Sequence, residues 1–214
     1  MERRKLVLIS LISVLNMREF TEIQQRELEK MMSGEPYDAS DNTELLDILQ
    51  ETQEMCRDYN NIRPSHQEEK DALIKRILGK TGEKIKVIQP FFCDYGFNIE
   101  VGEDFFANTN MVILDEARVT FGNHVFIGPN CSFYTPCHPI DAESRNAGKQ
   151  WSLPIKVGNN VWLGGNVTVC PGVNIGDNTV IGAGSVVTND IPAGVLAAGN
   201  PCQVIKTIQP FKNN

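Results

Sequence analysis

The chain has 214 residues, of which 41% are hydrophobic and 22% are charged, and its formal net charge is −7. This length and composition fit one modest domain with its own core plus an appendage. The negative charge argues against a nucleic acid as the partner, because phosphate binding needs an excess of Lys and Arg. The six cysteines form no CxxC pair and no dense framework, which favours reduced thiols in a cytoplasmic protein.

Residues 1–20 form the first distinct segment. Basic residues at positions 3–5 precede an apolar run from Leu6 to Leu15, which is the layout of a secretory signal peptide. The run is too short to span a bilayer, and no small-x-small cleavage site follows it. We therefore predict no membrane attachment and interpret this segment as an N-terminal extension or amphipathic helix. Met17 is an alternative start of the functional protein. The alternative interpretation of the segment is a signal for export.

Residues 21–82 have a helical pattern. One apolar stripe at helical spacing runs through the segment: Leu45, Ile48, Leu49, Thr52, Met55, Cys56 and Tyr59. A second apolar face ends at Gly79, and glycine is a common terminator of helices. The segment predicts a small helical cap.

The C-terminal part of the chain repeats with a period of six residues. Aliphatic residues recur at this spacing in one register: Val157, Leu163, Val169, Ile175, Ile181 and Val187. A second register lies two residues earlier: Ile155, Val161, Val167 and Val173, followed by Thr179 and Ser185. The period matches neither a helix nor an ordinary strand and is typical of a solenoid whose flat faces each contribute one inward side chain.

The predicted fold class is therefore mainly β. We expect a left-handed parallel β-helix, a hexapeptide-repeat solenoid, over residues 83–208, with an N-terminal α-helical cap over 21–82 and a C-terminal tail over 209–214. The alternative is an ordinary β-sandwich with short strands.

The six-residue period is interrupted between Phe133 and Pro154. A solenoid can extrude a loop at a corner without losing its register, so residues 134–154 are predicted to be such a loop. The loop carries His138 between Pro136 and Pro139, which restrict the backbone on both sides. The other two histidines are predicted to lie at a helix start (His66) and at an exposed coil corner (His124), so His138 is the candidate for chemistry.

Several short segments carry a resemblance to a known family: Asp94-Tyr95-Gly96-Phe97-Asn98-Ile99, Asn108-Thr109-Asn110, Ile127-Gly128-Pro129-Asn130, His138-Pro139 and Ala198-Gly199-Asn200-Pro201. In this order, and behind a helical cap, they resemble the maltose and galactoside O-acetyltransferases. These enzymes belong to the hexapeptide-repeat acyltransferases. The likeness runs from about Glu27 to Ile208.

The resemblance implies a homotrimer with active sites between subunits, acetyl-CoA as the cosubstrate, a sugar hydroxyl as the acceptor and no metal. It implies that His138 is the general base. Chemistry agrees, because a sugar hydroxyl is a poor nucleophile until its proton is removed, and neutral imidazole suits that task. By the same resemblance, the Gly165 N–H and the Asn108 side chain are candidates to stabilise the oxyanion, and Asp115 matches an acceptor-binding carboxylate.

The resemblance also implies where the cofactor binds. The slim pantetheine arm is expected along Gly165 and Ala183, with Trp162 as a candidate wall. Four further residues fall near the nucleotide end: Thr188, Asn189, Gln203 and Lys206. Family members often have a cation where Asn189 and Gln203 stand, so Lys206 is the main candidate for the 3′-phosphate of CoA.

The resemblance places the helical cap, residues 21–82, on the acceptor side, and this side departs from the family pattern. Its candidate residues are Asp94, Phe106, Asn108, Asp115 and Gln150. Gln150 stands where relatives commonly have a glutamate, Phe106 where some have a tyrosine, and Asp94 where galactoside enzymes have a serine. These differences leave the acceptor open, so we expect either a maltose-, glucose- or galactoside-like sugar or a non-sugar hydroxyl compound.

Two other classes of function remain as alternatives. One is a non-catalytic trimeric scaffold that has kept the coils. The other is a metalloenzyme of the γ-carbonic anhydrase type on the same fold, although a zinc site needs three protein ligands and His66 belongs to the cap.

Overall fold

The computed structural model describes residues 20–38 and 42–209. The predictions for the N-terminal extension fall almost entirely outside the described residues, as do those for positions 210–214. Within the described part of the chain, no helix is both long enough and apolar enough to cross a membrane.

Among the residues that the structure describes, three helices precede the coils: α1 (Glu22–Met32), α2 (Thr43–Asn61) and α3 (Gln67–Ile77). A capping box starts α1, because the Thr21 hydroxyl accepts from the Gln24 N–H at 3.1 Å and the Gln24 side chain accepts from the Thr21 N–H at 3.0 Å. The Asn42 side chain caps α2 by accepting from the Leu45 N–H at 3.1 Å. These caps satisfy backbone donors that a helix start leaves unpaired.

The rest of the chain winds through three sheets of parallel strands, which we name A, B and C. Sheet A contains β4 (Phe91–Cys93), β7 (Met111–Leu114), β10 (Ser132–Tyr134), β15 (Thr168–Val169) and β18 (Val186–Val187). Sheet B contains β2 (Lys80–Thr81), β5 (Ile99–Val101), β8 (Val119–Phe121), β13 (Ile155–Val157) and β16 (Asn174–Ile175).

Sheet C is the longest of the three. It contains β3 (Ile85–Val87), β6 (Phe105–Ala107), β9 (Phe126–Ile127), β14 (Trp162–Leu163), β17 (Val180–Ile181), β19 (Val195–Ala198) and β20 (Gln203–Thr207), the last of which turns back antiparallel to β19. The chain visits the sheets in the order B, C, A and then B again, so each coil adds one strand to each sheet. The prediction of a parallel β-solenoid with N-terminal helices is confirmed.

The core of the solenoid consists of the residues that repeat every six positions. All members of both registers, from Ile155 to Val187, are buried. The two polar members are satisfied by hydrogen bonds, because the Thr179 hydroxyl donates to the Pro192 carbonyl at 2.9 Å and the Ser185 hydroxyl donates to the Gly182 carbonyl at 2.6 Å. A polar side chain is tolerated in the core where it has such a partner.

The coils turn at corners where asparagine adopts a left-handed backbone. Asn160 and Asn178 have φ values of 55° and 56°, and the Asn160 amide donates to the Asn178 side chain at 3.0 Å. Asparagine tolerates this conformation better than most residues. His124 occupies an equivalent corner with φ 54° and an exposed side chain, as the sequence predicts.

The cap closes the first coil through α2 and α3. Apolar residues of both helices join the solenoid core, among them Tyr59 and Ile74. Side chains of α2 also bind backbone groups of the first coil: the Tyr59 hydroxyl donates to the Val87 carbonyl at 2.7 Å, and the Asn60 side chain exchanges two hydrogen bonds with the backbone of Phe91 at 2.8 and 2.9 Å. At Val87 and Phe91, the helix therefore supplies hydrogen bonds that a further strand would have made.

Between β10 and β13 the chain leaves the coils. This loop contains β11 (Pro136–Cys137), a short helix α4 (Ala142–Asn146) and β12 (Lys149–Ser152). In a small antiparallel sheet, β12 pairs with β11 on one side and with β1 (Tyr37–Asp38) of the cap on the other. The loop is thus tied to the cap as well as to the coils.

Candidate active site

The corners of successive coils stack on one another, so each type of corner forms an edge that runs along the solenoid. We call edge AB the corner at which the chain passes from sheet A to sheet B, and edge CA the corner at which it passes from sheet C to sheet A. The loop with His138 leaves the coils at edge AB, whereas Asn108, Gly165 and Ala183 lie at edge CA. The four residues of β7, at about 3.3 Å each, hold the two edges roughly 13 Å apart.

His138 lies in a cleft of about 380 Å³ at edge AB. The cap, the coil corners and the loop all contribute to its lining: Leu45, Leu46, Leu49, Tyr95, Glu116, His138, Arg145, Gly148 and Gln150. Leucines of α2 form an apolar wall, and the other side presents an imidazole, a carboxylate, a guanidinium and an amide. Such a mixture suits a small polar molecule with an apolar face, such as a sugar ring.

Arg145 binds the backbone of the segment that follows His138. Its Nη1 atom donates to the carbonyl oxygens of Pro139 and Ile140, each at 2.9 Å. The Asp141 side chain starts α4 by accepting from the Ser144 N–H at 2.8 Å. Among the described residues, none forms a hydrogen bond with the His138 ring, so both ring nitrogens are available to a ligand or to a second chain.

Glu116 supplies the carboxylate of the cleft. Its Oε2 atom accepts hydrogen bonds from the Tyr37 hydroxyl at 2.8 Å, the Ser152 hydroxyl at 2.8 Å and the Gln150 amide at 3.0 Å. Glu116 is not among the site residues predicted from the sequence. Its position was detectable, because inward and outward residues alternate from Met111 to Val119 and Glu116 has the outward parity.

Asp115 has the inward parity and is fully buried. Its Oδ1 atom accepts from the N–H groups of Asp94 and Tyr95 at 3.1 and 2.9 Å, and its buried Oδ2 atom has no partner among the described residues. This corrects the expectation that Asp115 contacts an acceptor, because a fully buried carboxyl cannot reach a ligand. Burial raises the pKa of Asp115 to about 7, although the backbone donors oppose the shift.

The buried carboxyl predicts a pH-dependent effect of Asp115→Asn on stability. The pKa of Asp115 is about 7 in the folded protein and 3.8 as the ordinary value. As the pH rises between these two values, the unfolded chain ionises more readily than the folded protein, so wild type loses stability. We expect the variant and wild type to be equally stable near pH 4. By pH 8, the free energy of unfolding of the variant should exceed that of wild type by up to about 1.4 kcal/mol for each unit of pKa shift.

Urea unfolding at several pH values checks this expectation. Asp104→Asn is the matched control, since it removes one negative charge from an exposed corner where φ is 53° and asparagine is tolerated. A stability difference between Asp115→Asn and wild type that does not change between pH 4 and 8 contradicts the assignment.

Edge CA presents backbone and amide donors. Among the residues that the structure describes, the Gly165 N–H donates to no other group, and neither does the Asn108 Nδ2 atom. The Asn108 Oδ1 atom is occupied, since it accepts from the Thr109 N–H at 2.8 Å. Two free donors on one edge have the chemistry that an oxyanion requires.

The surface along edge CA is formed by small residues. A methyl group added to Gly128 would lie 2.5 Å from the Gly165 nitrogen, and one added to Gly164 would lie 2.6 Å from the Ala183 nitrogen. Successive corners therefore stack backbone against backbone. Small residues of this kind let a ligand approach the backbone closely.

The other predicted cofactor residues, and Phe106 of the predicted acceptor residues, are divided among several parts of the fold. Phe106 and the 56%-exposed Trp162 lie on the outer face of sheet C, and Gln203 and Lys206 lie on β20 at the end of that sheet. Thr188 and Asn189 follow β18 and so lie at edge AB of the last coils, where the Asn189 amide donates to the Thr188 hydroxyl at 3.0 Å.

Asp94 lies in a neighbouring cavity of about 460 Å³ between α2 and sheet A. Burial, then the charges of Asp115 and Glu116, raise the pKa of Asp94 to about 7. Of the predicted acceptor residues, the structure places only Gln150 in the same cleft as His138. Within residues 20–38 and 42–209, no three His, Cys, Asp or Glu side chains are grouped to hold a metal ion.

Comparisons with known proteins give the family of the chain. A family profile described as the maltose acetyltransferase hexapeptide capping motif matches residues 30–82, and one for the bacterial transferase hexapeptide matches residues 154–189. A putative acetyltransferase of Saccharomyces cerevisiae is 49% identical over 85% of this chain and 92% of its own length.

Solved structures agree with the sequence matches. A maltose O-acetyltransferase from Clostridium difficile is 45% identical, with a TM-score of 0.82 over 86% of this chain and 97% of its own. A galactoside acetyltransferase in complex with coenzyme A is 40% identical, with a TM-score of 0.82 over 86% and 95% of the two chains. The fold and the sites thus define a hexapeptide-repeat acetyltransferase. Within that class, the chain belongs to the maltose and galactoside O-acetyltransferase family.

Proposed function

We propose that this protein transfers an acetyl group from acetyl-CoA to a hydroxyl of a sugar, with His138 as the general base. The observation that carries the proposal is the position of His138, in a cleft with a carboxylate and an apolar wall, on a chain of this family. The side chains of His66 and His124 are more than half exposed, at 53% and 55%, and each pairs with a carboxylate at the surface.

In the proposed reaction, a ring nitrogen of His138 takes the proton of the acceptor hydroxyl as its oxygen attacks the thioester carbon. The carbonyl oxygen becomes an oxyanion, to which the Gly165 N–H and the Asn108 amide donate. The C–S bond then breaks, the ester is released, and the proton on His138 passes to the CoA sulfur. No covalent enzyme intermediate is required.

Such a site requires two chains. The base is at edge AB and the proposed oxyanion donors are at edge CA, on the far side of sheet A. If edge AB of one copy faces edge CA of the next, each copy contributes half of every site. Repeating this heterologous contact closes a ring, and we propose the homotrimer that the family resemblance implies.

The cleft also suggests how an acceptor is oriented. The carboxylate of Glu116 and the guanidinium of Arg145 can bind hydroxyl groups from two directions, while Leu46 and Leu49 can cover the C–H face of a ring. We propose that Phe106 and Asn108 complete this pocket from the neighbouring copy, and that Trp162, Ala183, Gln203 and Lys206 line the path of CoA. Thr188 and Asn189 are proposed to reach the nucleotide from edge AB.

The test is thiol release from acetyl-CoA in the presence of a panel of sugars and non-sugar alcohols. We expect turnover with at least one sugar, and identification of the acetylated product by mass spectrometry. Turnover confined to non-sugar alcohols would favour the other acceptor class. Neither turnover nor binding of acetyl-CoA would overturn the proposal and leave a non-catalytic scaffold.

A further inference from the structure

The two carboxylate oxygens of Glu116 differ in the hydrogen bonds that they accept. All three of its hydrogen bonds reach Oε2 and come from the side of β1 and β12. Within the described part of the chain, no group binds the second oxygen, Oε1. Because a carboxylate can accept about four hydrogen bonds, Oε1 keeps its full capacity for a ligand in the cleft.

Gln150 occupies the centre of this arrangement. It is only 8% exposed, and its Nε2 atom donates both to Glu116 at 3.0 Å and to the Tyr37 hydroxyl at 2.8 Å. An amide NH₂ has two protons, so both of its donors are used. Gln150 and Tyr37 are also direct partners in the register of β12 and β1, so the backbone fixes their approach.

The Tyr37 hydroxyl completes the network as both donor and acceptor. It donates to Glu116 at 2.8 Å and accepts from Gln150. Burial, and then the negative charge of Glu116, raise the pKa of Tyr37 far above its ordinary value, so the phenol keeps the proton that it donates.

We propose that Gln150 and Tyr37 are positioning residues that bind Oε2 of Glu116 and so hold its Oε1 atom towards the hydroxyls of the substrate. This inference rests on the proposed acetyltransferase function and deepens it. It gives a physical reason for an amide at position 150. A glutamate there would bring a second carboxylate to within about 3 Å of Glu116, and two such groups cannot both be ionised at low cost.

Other charged and titratable groups face this network and set the background for its pH dependence. They come from the coil corners, from the cap and from the loop: Tyr37, Asp94, Tyr95, Asp115, Cys137, His138 and Arg145. All of them are retained in Gln150→Glu, so a difference in pH profile between that variant and wild type reports on position 150.

The experiment measures the acceptor KM, the acetyl-CoA KM and kcat from pH 5 to pH 8.5 for the full chain and for Gln150→Glu. Near pH 5 the introduced carboxyl shares a proton with Glu116 and can still donate, so we expect an acceptor KM within about threefold of wild type. By pH 8 both carboxyls are ionised and repel each other, and the acceptor KM should rise at least about tenfold. The acetyl-CoA KM should stay within about twofold throughout.

Two further variants complete the test. Tyr37→Phe should raise the acceptor KM by roughly tenfold at every pH, because it removes one donor without adding a charge. Gln67→Glu, at the exposed start of α3, makes the same chemical change far from the cleft and should behave as wild type.

The outcomes separate the two proposals. A wild-type protein without transferase activity would overturn the proposed function. If wild type is active, two results for Gln150→Glu would overturn the positioning role alone. One is an acceptor KM at pH 8 equal to that of wild type, and the other is a uniform loss of activity and thermal stability at all pH values.

Discussion

His138→Ala should lower kcat at least about 100-fold and up to about 10,000-fold, the usual contribution of a general base. The KM for acetyl-CoA should change little, because the proposed cofactor groove lies along edge CA and does not include this side chain. The acceptor hydroxyl would still bind beside Glu116 but would attack with its proton in place. Steady-state thiol release with the best acceptor from the panel measures the effect.

The chain offers matched controls for this substitution. His124→Asn removes an imidazole at an exposed corner with φ 54°, where asparagine is tolerated, and His66→Ala removes one at the start of α3. Both should retain activity within about twofold of wild type. A kcat for His138→Ala that matches these controls would exclude His138 as the base.

Two inactive variants should restore activity when they assemble together. His138→Ala damages only edge AB, and Asn108→Asp damages only edge CA, because aspartate keeps the acceptor for the Thr109 N–H and loses the donor. Each variant alone should lose at least about 100-fold in kcat. In a ring of three copies that contains both variants, one site combines an intact edge AB with an intact edge CA, so we expect about one third of wild-type activity.

Co-expression with two different affinity tags, and purification through both, isolates the mixed assemblies. As the control, a single variant is co-expressed in two forms, one with each tag. Assemblies purified through both tags then contain that variant alone and should stay inactive. If the mixed assemblies are no more active than either variant alone, the active site lies within one chain and the two-edge arrangement is wrong.

The fold was largely predictable because the six-residue period leaves little freedom. Residues such as Leu163 and Ile181 recur at positions that point inward only if the chain turns at regular corners, and the structure buries them all. Helix positions in the cap followed for a similar reason, since Leu45, Ile48 and Tyr59 share one face that packs on the first coil or on α1.

The site was less predictable, because its residues are distant in sequence and meet only through folding. The pairing of Tyr37 with Gln150 joins two strands that are separated by most of the cap and half of the coils. Asp115 and Glu116 are adjacent acidic residues, and only the alternation of the strand decides which one reaches the cleft. Gln150 was recognised as a departure from the family, but its partners could not be read from the sequence.

The hydrogen bonds from Tyr59 and Asn60 to the first coil have a consequence for how this protein avoids forming fibres. A solenoid ends in strands whose backbone groups accept any further strand, including one from another molecule, and such ends can grow without limit. Here side chains of α2 already occupy the backbone of Phe91 and the carbonyl of Val87. A strand from another molecule would have to displace these hydrogen bonds before it could extend the solenoid at this end.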